Sequence, residues 1–101
     1  SKLASTVGLI VNELIANSLK YAFTDDREGE ILLELKSNKE NGVELMVSDN
    51  GVGIPEGFDL KTADSLGLKL VKMLVENQLD GSVDVENNNG TKFTIKFNTE
   101  T

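Results

Sequence analysis

The chain has 101 residues, the length of one small domain, and its 39% hydrophobic and 27% charged residues suit a globular fold rather than a disordered one. Seventeen acidic and ten basic residues give a net charge of −7, which argues against binding to nucleic acid or directly to an anionic membrane. The absence of cysteine and histidine excludes disulfides, thiolate zinc sites and a histidine that could accept a phosphoryl group within the chain. No apolar run approaches the roughly 20 residues that span a bilayer. We therefore expect a single domain over residues 1–101, excised from a longer parent protein and located in the cytoplasm even if that parent is anchored in a membrane.

An almost wholly apolar helical pattern occupies residues 3–23. On a helical wheel of about 100° per residue, its apolar side chains cover more than half of the circumference, so we expect this helix to lie inside the domain. Those side chains are Val7, Ile10, Val11, Leu14, Ile15, Leu19 and Ala22. A polar loop over residues 24–29 follows.

Two runs of alternating hydrophobicity follow this loop, over residues 30–36 and 43–49. The Asn41-Gly42 pair between them is a strong signal for a hairpin turn. Residues 49–64 are irregular and rich in glycine. The pattern predicts an antiparallel strand pair followed by a functional or connecting loop.

The second half repeats the order of helix and two strands. A helix is predicted over residues 65–79, with Ser65 as its N-cap, and a second hairpin over 82–86 and 91–97 that turns through 87–90. The predicted core face of this helix consists of Leu70, Val71, Leu74 and Val75. The expected fold is α+β, a two-layer α/β sandwich with a mixed, mostly antiparallel sheet and both helices on one face.

A polar stripe interrupts the first helix. Glu13, Asn17 and Lys20 follow the spacing i, i+4, i+7, so their side chains fall within about 60° of one another. The stripe is either the solvated face of the helix or the lining of a cavity, and both alternatives are open at this level. In the second case, the oxygens suit a hard cation such as Mg²⁺, and Lys20 suits a phosphate.

Asp49 continues the inward-facing row of the strand over residues 43–49. A carboxylate at that position points toward the interior, where it can accept a hydrogen bond from an exocyclic amine such as that of adenine. Gly51 and Gly53 would let the backbone approach a flat ligand closely. The alternative is an ordinary strand-ending turn, because Asp-Asn-Gly is common in turns.

Two further positions are weaker candidates. Gly67 lies at the start of the second helix, where free amides and the positive end of the helix dipole favour a phosphate. Thr91 shares its strand face with Phe93, Ile95 and Phe97, but a lone threonine there is more often only a good strand former. The chain has neither a P-loop nor a Gly-x-Gly-x-x-Gly motif.

Four segments in this order resemble the ATP-binding domain of sensor histidine kinases, which has the Bergerat-type ATP-binding fold. The superfamily also contains DNA gyrase, the heat-shock chaperone ATPase and the mismatch-repair ATPases. The resemblance spans residues 7–97, and its details are most similar to the short-lid kinase subfamily. The segments are 12–22 (NELIANSLKYA, like the N-box), 49–53 (DNGVG, like the first glycine box), 65–71 (SLGLKLV, like the second) and 90–93 (GTKF, like the final strand).

The resemblance implies a magnesium and phosphate site on the first helix. Asn17 would be the Mg²⁺ ligand, and Glu13 would polarise the reacting groups or contact the metal through water, which makes these two the catalytic candidates. Lys20 and Tyr21 would face the phosphates.

The resemblance also implies the remaining contacts to ATP. Asp49 would bind the adenine amino group, with Thr91 assisting, often through water. The other implied contacts are Gly51, Gly53 and Ile54 at the base and lid, and Gly67 and Leu68 at the phosphates.

Some features of the family are not found in this sequence. The lid over residues 56–64 has no clear phenylalanine box, although Phe58 is a candidate, and the family's strand before the first helix, dimerisation helices and phosphoacceptor histidine are absent. We expect the domain to transfer the γ-phosphoryl group of Mg²⁺–ATP to a histidine on a dimerisation domain of the parent protein, and to serve a response regulator indirectly. The alternatives are a serine kinase of the anti-sigma type and a nucleotide-gated interaction module without transfer activity.

Overall fold

The computed structural model describes residues 2–22, 28–38, 40, 42–53, 66–87 and 89–99. The order of helix, two strands, helix and two strands is as predicted. When the π-helical turn after α1 is counted with the first helix, the described ends of the elements differ from the predicted ones by no more than one residue. Phe23 and Ser65, at the predicted end and start of the helices, lie outside the described residues. The elements are α1 (Lys2–Asn17), a π-helical turn (Ser18–Ala22), β1 (Ile31–Ser37), β2 (Gly42–Asp49), α2 (Leu66–Gln78), β3 (Ser82–Asn87) and β4 (Thr91–Asn98).

The four strands form one sheet in the order β1-β2-β4-β3. All three pairings are antiparallel, so the parallel pair that a mixed sheet requires is not found among the described strands. Both predicted hairpins are confirmed. The central contact joins them: β2 pairs with β4, and Val47 lies opposite Phe93. Because the two strands are antiparallel, the end of β2 and the start of β4 lie next to each other at the same end of the sheet.

Asn38 organises the described part of the first hairpin turn, and Asn41, which the sequence pattern singles out, lies outside the described residues. Asn38 Oδ1 accepts hydrogen bonds from the backbone amides of Glu40 at 2.8 Å and Gly42 at 2.9 Å. The backbone amide of Asn38 also donates to the carbonyl of Gly42 at 2.9 Å. The side chain thus satisfies turn amides that the strand ladder does not use.

The hydrophobic core lies between one face of the sheet and the two helices, as predicted. Alternate residues of β2 and β4 supply the sheet side because successive side chains of a strand point to opposite faces. The buried core residues are Ile10, Leu14, Leu45, Val47, Leu68, Val71, Val75, Leu79, Phe93, Ile95 and Phe97. None of the described helices is long and apolar enough to cross a membrane.

The prediction that the first helix lies inside the domain is correct for one side of the helix and wrong for the other. Ile10 and Leu14 are 0% exposed, but Leu19 is 63% exposed and Leu9 is also exposed. Among the described elements, the sheet and α2 cover only one side of α1, and Leu9 and Leu19 are on the other side. In addition, the α-helix ends at Asn17, and the wider i→i+5 spacing of the π-helical turn invalidates a wheel of constant angle beyond it.

The predicted core face of α2 needs a smaller correction. Val71 and Val75 are buried as expected, whereas Leu70 and Leu74 are only half-buried. Leu68 is buried instead. The buried stripe therefore runs through positions 68, 71 and 75, at spacings of three and four residues.

Candidate functional site

Asp49, the last residue of β2, is 8% exposed and points into the domain as predicted. Its Oδ1 atom accepts hydrogen bonds from the backbone amides of Gly51 at 3.0 Å and Thr91 at 3.1 Å. Its Oδ2 atom accepts a hydrogen bond from the Ser18 hydroxyl at 2.8 Å. A carboxylate removed from water requires such donors, and the protein itself supplies these three.

Three segments that are distant in sequence meet around this carboxylate: the π-helical turn, the glycine-rich segment 49–53 and the start of β4. Backbone bonds join the first two, because the Val52 amide donates to the carbonyl of Ala22 at 3.0 Å. Asn50 adds a second connection. Its amide donates to the carbonyl of Glu30 at 3.3 Å, and its Oδ1 accepts from the Glu30 amide at 2.8 Å. The segment that follows Asp49 is therefore held by the π-helical turn through Val52 and by Glu30, the residue before β1, through Asn50.

Glycines allow the backbones to come this close. A Cβ atom at Gly51 would overlap the side chain and carbonyl of Ala22. A Cβ atom at Gly90 would overlap the carbonyl oxygen of Asp49, and Gly90 also has a φ of 136°, which side-chain-bearing residues rarely adopt. Gly53 has a φ of 83° and lies beside the side chain of Asn87. Gly51 thus contacts Asp49 directly and Gly53 packs beside Asn87, whereas their contacts to a base and to the lid remain predictions.

Thr91 is buried at the first position of β4, directly beside Asp49. Its contact with the carboxylate is through its backbone amide. The contact follows from the position of Thr91 in the strand, so it does not by itself require a threonine side chain.

The stripe on the first helix is divided by the end of α1. Glu13 and Asn17 are half-buried within α1, whereas Lys20 is exposed in the π-helical turn, so the three do not share one regular helix. No group of three or more His, Cys, Asp or Glu side chains that could hold a metal ion is found among the described residues. A cation near Glu13 and Asn17 would therefore need oxygens from a ligand, which is how Mg²⁺ is usually held beside phosphates.

The other predicted ligands are described only in part. Gly67 is half-buried and Leu68 is buried in the first turn of α2. The Leu68 side chain belongs to the hydrophobic core, which corrects any expectation that it faces a ligand; only its backbone could meet a phosphate. Ile54, Phe58 and the Tyr21 side chain lie outside the described part of the structure.

Ser18 belongs to the site, although the motifs do not indicate it as a ligand. It follows Ile10 and Leu14 at intervals of four residues, and it is 3% exposed. A hydroxyl in a stripe that is otherwise apolar needs a buried partner. That pattern, together with an inward Asp49, is the sequence signal from which the contact could have been inferred.

A two-layer α+β domain with a buried aspartate beside glycine-rich backbone is the architecture of an ATP-binding domain of the histidine kinase class. The family model described as "Histidine kinase-, DNA gyrase B-, and HSP90-like ATPase" matches residues 3–101. The chain therefore belongs to this family, and the resemblance noted in the sequence is confirmed.

Individual relatives specify the branch of the family. The chain is 35% identical over 81 residues to the sensor histidine kinase PdtaS of Mycobacterium tuberculosis, covering 79% of this chain and 16% of that protein. It is 37% identical over 75 residues to the blue-light-activated histidine kinase 2 of Erythrobacter litoralis, covering 72% of this chain and 21% of that protein. The solved histidine kinase domain of Erythrobacter litoralis EL346 superposes with a TM-score of 0.86 at 31% identity, over 96% of this chain and 45% of that one. The chain thus has the fold and relationships of a histidine kinase catalytic domain that uses ATP, and it corresponds to a minor part of each full-length relative.

Proposed function

We propose that this domain binds Mg²⁺–ATP with the adenine amine against Asp49 and donates the γ-phosphoryl group to a histidine on a dimerisation domain of its parent protein. The observation that carries the proposal is the Asp49 carboxylate, which is buried, ionisable and oriented by three hydrogen bonds. Gly51 and Gly90 let the backbones around this carboxylate pack closely, which holds it in place for a ligand. Membership of the ATPase family supports the same ligand.

The proposal also places a magnesium ion beside the first helix. Asn17 would supply an amide oxygen to the ion, and Glu13, one helical turn before it, would contact the ion or its water. Both side chains are half-buried, so each can be oriented by the helix and still reach a ligand. When bound, the ion would neutralise charge on the phosphates, which a domain of net charge −7 needs.

The phosphates would extend from the base toward the π-helical turn and the start of α2. Lys20 is exposed on that turn and is near enough in sequence to Asn17 to serve the same phosphates; the resemblance adds Tyr21. At the first turn of α2, Gly67 and the backbone of Leu68 would lie against the phosphates at the positive end of a helix of 13 residues. Positioning and charge neutralisation would supply most of the catalysis, as is usual for phosphoryl transfer.

The phosphoryl acceptor must lie outside these 101 residues, because the sequence contains no histidine. A response regulator would then receive the group from that histidine, without direct contact between ATP and the regulator. The similarity to sensor histidine kinases favours this route over a serine kinase of the anti-sigma type or a nucleotide-gated interaction module.

The chain alone should bind ATP without becoming labelled. Incubation of the 101-residue chain with Mg²⁺ and γ-labelled ATP should leave no acid-labile label on it, since it has no acceptor histidine. Addition of the histidine-bearing domain of the parent protein should produce acid-labile label on that domain. Acid-stable label on serine or threonine would instead establish the serine kinase, and ATP binding with no transfer to either acceptor would establish the interaction module.

The Asn17→Ala variant should weaken Mg²⁺–ATP by about tenfold or more, because an oxygen ligand is lost. Its effect on adenosine measured without Mg²⁺ should be small, since adenosine has no phosphates to hold the ion. Calorimetric titration of both ligands checks the prediction. The matched control is Asn12→Ala, which makes the same change at an exposed position of the same helix and should alter neither affinity. Equal weakening of both ligands in a folded Asn17→Ala variant would show that Asn17 does not hold the ion.

A further inference from the structure

Ser18 occupies an unusual place for a hydroxyl. It continues the stripe of Ile10 and Leu14, both fully buried, and begins the π-helical turn that follows α1. Serine in a helix commonly satisfies its hydroxyl on the carbonyl four residues earlier. Here the hydroxyl donates across the domain to Asp49 Oδ2 at 2.8 Å.

The two oxygens of Asp49 are held in different ways. Oδ1 accepts from two backbone amides, those of Gly51 and Thr91, and no substitution other than proline removes these donors. Oδ2 accepts from one side-chain donor, Ser18. An ionised carboxylate has about four acceptor positions, and the described residues supply three donors. The remaining position is on Oδ2, so the donor that fixes Oδ2 also fixes the direction in which it can accept another hydrogen.

The hydrogen bond to Asp49 also determines whether the Ser18 hydroxyl can donate or accept toward a ligand. Its only hydrogen is committed to Asp49, so any ligand atom that reaches Ser18 Oγ meets an acceptor. Together, Oδ2 and Oγ present acceptors alone. An amine on the base edge is favoured by this arrangement, and a carbonyl oxygen at the same place is opposed by it.

We propose that Ser18 is a positioning residue for base recognition: by fixing Oδ2 of Asp49 as an acceptor, it sets the preference of the site for a purine that carries a 6-amino group. The proposal rests on the proposed function, in which Asp49 contacts the adenine amine. It adds a residue that acts through Asp49 and contributes to selectivity rather than to overall affinity.

The test compares ATP with purine riboside triphosphate, which has the same phosphates and ring system but no 6-amino group. Ser18→Ala should weaken ATP about three- to tenfold, the value of one hydrogen bond, and should leave purine riboside triphosphate unchanged. Ser18→Thr keeps the hydroxyl and should restore most of the preference for ATP. The matched control is Ser5→Ala, the same change at an exposed position of α1, which should change neither affinity.

The outcomes separate this proposal from the one on which it rests. If the unmodified chain binds both nucleotides equally, Asp49 does not contact the amine and both proposals fail. If the unmodified chain prefers ATP but Ser18→Ala leaves the preference intact, or weakens both nucleotides equally, Ser18 only supports the fold and this proposal alone fails. Circular dichroism verifies that each variant is folded. If Ser18→Ala is not, Ser18→Cys fills nearly the same space with a weak donor and should show the same selective loss of ATP.

Discussion

Asp49→Asn should weaken ATP binding by about ten- to a hundredfold, and it should narrow or reverse the preference for ATP over GTP. The unmodified domain should prefer ATP by at least roughly tenfold. Adenine offers an amine at its 6-position, whereas guanine offers a carbonyl oxygen. An acceptor facing an acceptor in a site closed to water costs about 1–3 kcal/mol, or more when one is charged.

The geometry around Asp49 determines how an asparagine would sit there. The backbone amides of Gly51 and Thr91 point at Oδ1 and require an acceptor, so the amide oxygen should take that position. The NH₂ group then replaces Oδ2. One of its hydrogens can be accepted by the Ser18 hydroxyl, which can reverse its role, and the other points toward the base. A donor at that point suits the guanine oxygen and opposes the adenine amine, which is why the preference should shift.

Calorimetric titration of ATP and GTP into both proteins checks this prediction. Asp84→Asn is the matched control, because Asp84 is exposed in β3 on the opposite face of the sheet from the core, and its substitution should leave both affinities unchanged. Equal affinity of the unmodified domain for ATP and GTP would remove Asp49 as the group that recognises the base.

Gly90→Ala should destabilise the domain by about 3 kcal/mol or more, whereas Gly8→Ala should stabilise it by up to about 1 kcal/mol. At position 90, a Cβ atom would overlap the carbonyl oxygen of Asp49, and the φ of 136° is strained for alanine. At position 8, in the middle of α1, a Cβ atom meets nothing within 4 Å, and alanine is the better helix former. The same chemical change therefore has opposite signs at the two sites.

Urea unfolding of the three proteins, with the slope of the transition compared as well as its midpoint, measures both effects. Gly90→Ala should also weaken ATP, because displacement of the Asp49 backbone moves its carboxylate. A Gly90→Ala variant as stable as the unmodified domain would show that the β3–β4 turn is free to move away from Asp49.

The fold was predictable because its determinants are local. Alternation along β2 and β4 identifies their inward faces, and it carries through to Asp49 and Thr91 at the ends of the inward rows. The Asn41-Gly42 pair and the Asn-rich run before Gly90 are the sequence signals for the two hairpins. Hydrophobic periodicity and turn residues act over a few positions, so one sequence is enough to locate these elements.

The predictions from sequence were wrong or incomplete where the structure depends on packing between elements that are distant along the chain. Leu19 is apolar but 63% exposed, because none of the described elements covers its side of the helix, and a helical wheel cannot show which sides are covered. The insertion of β4 between β2 and β3 depends on how the two hairpins meet, which hairpin signals do not encode. The π-helical turn that begins at Ser18 also has no sequence signature of its own, so the direction of Lys20 could not be inferred from regular helix geometry.

The three hydrogen bonds to Asp49 also determine how ligand binding and folding depend on each other. Ser18 and Thr91 are 31 and 42 positions away from Asp49 along the chain, so the carboxylate closes two long loops, and the site does not exist until both have closed. A nucleotide that binds only the assembled site stabilises the folded domain. This stabilisation is about 2.7 kcal/mol when the free nucleotide concentration is a hundredfold above Kd. The free energy of unfolding of such a small domain is low, so it should depend measurably on the nucleotide concentration in the cell.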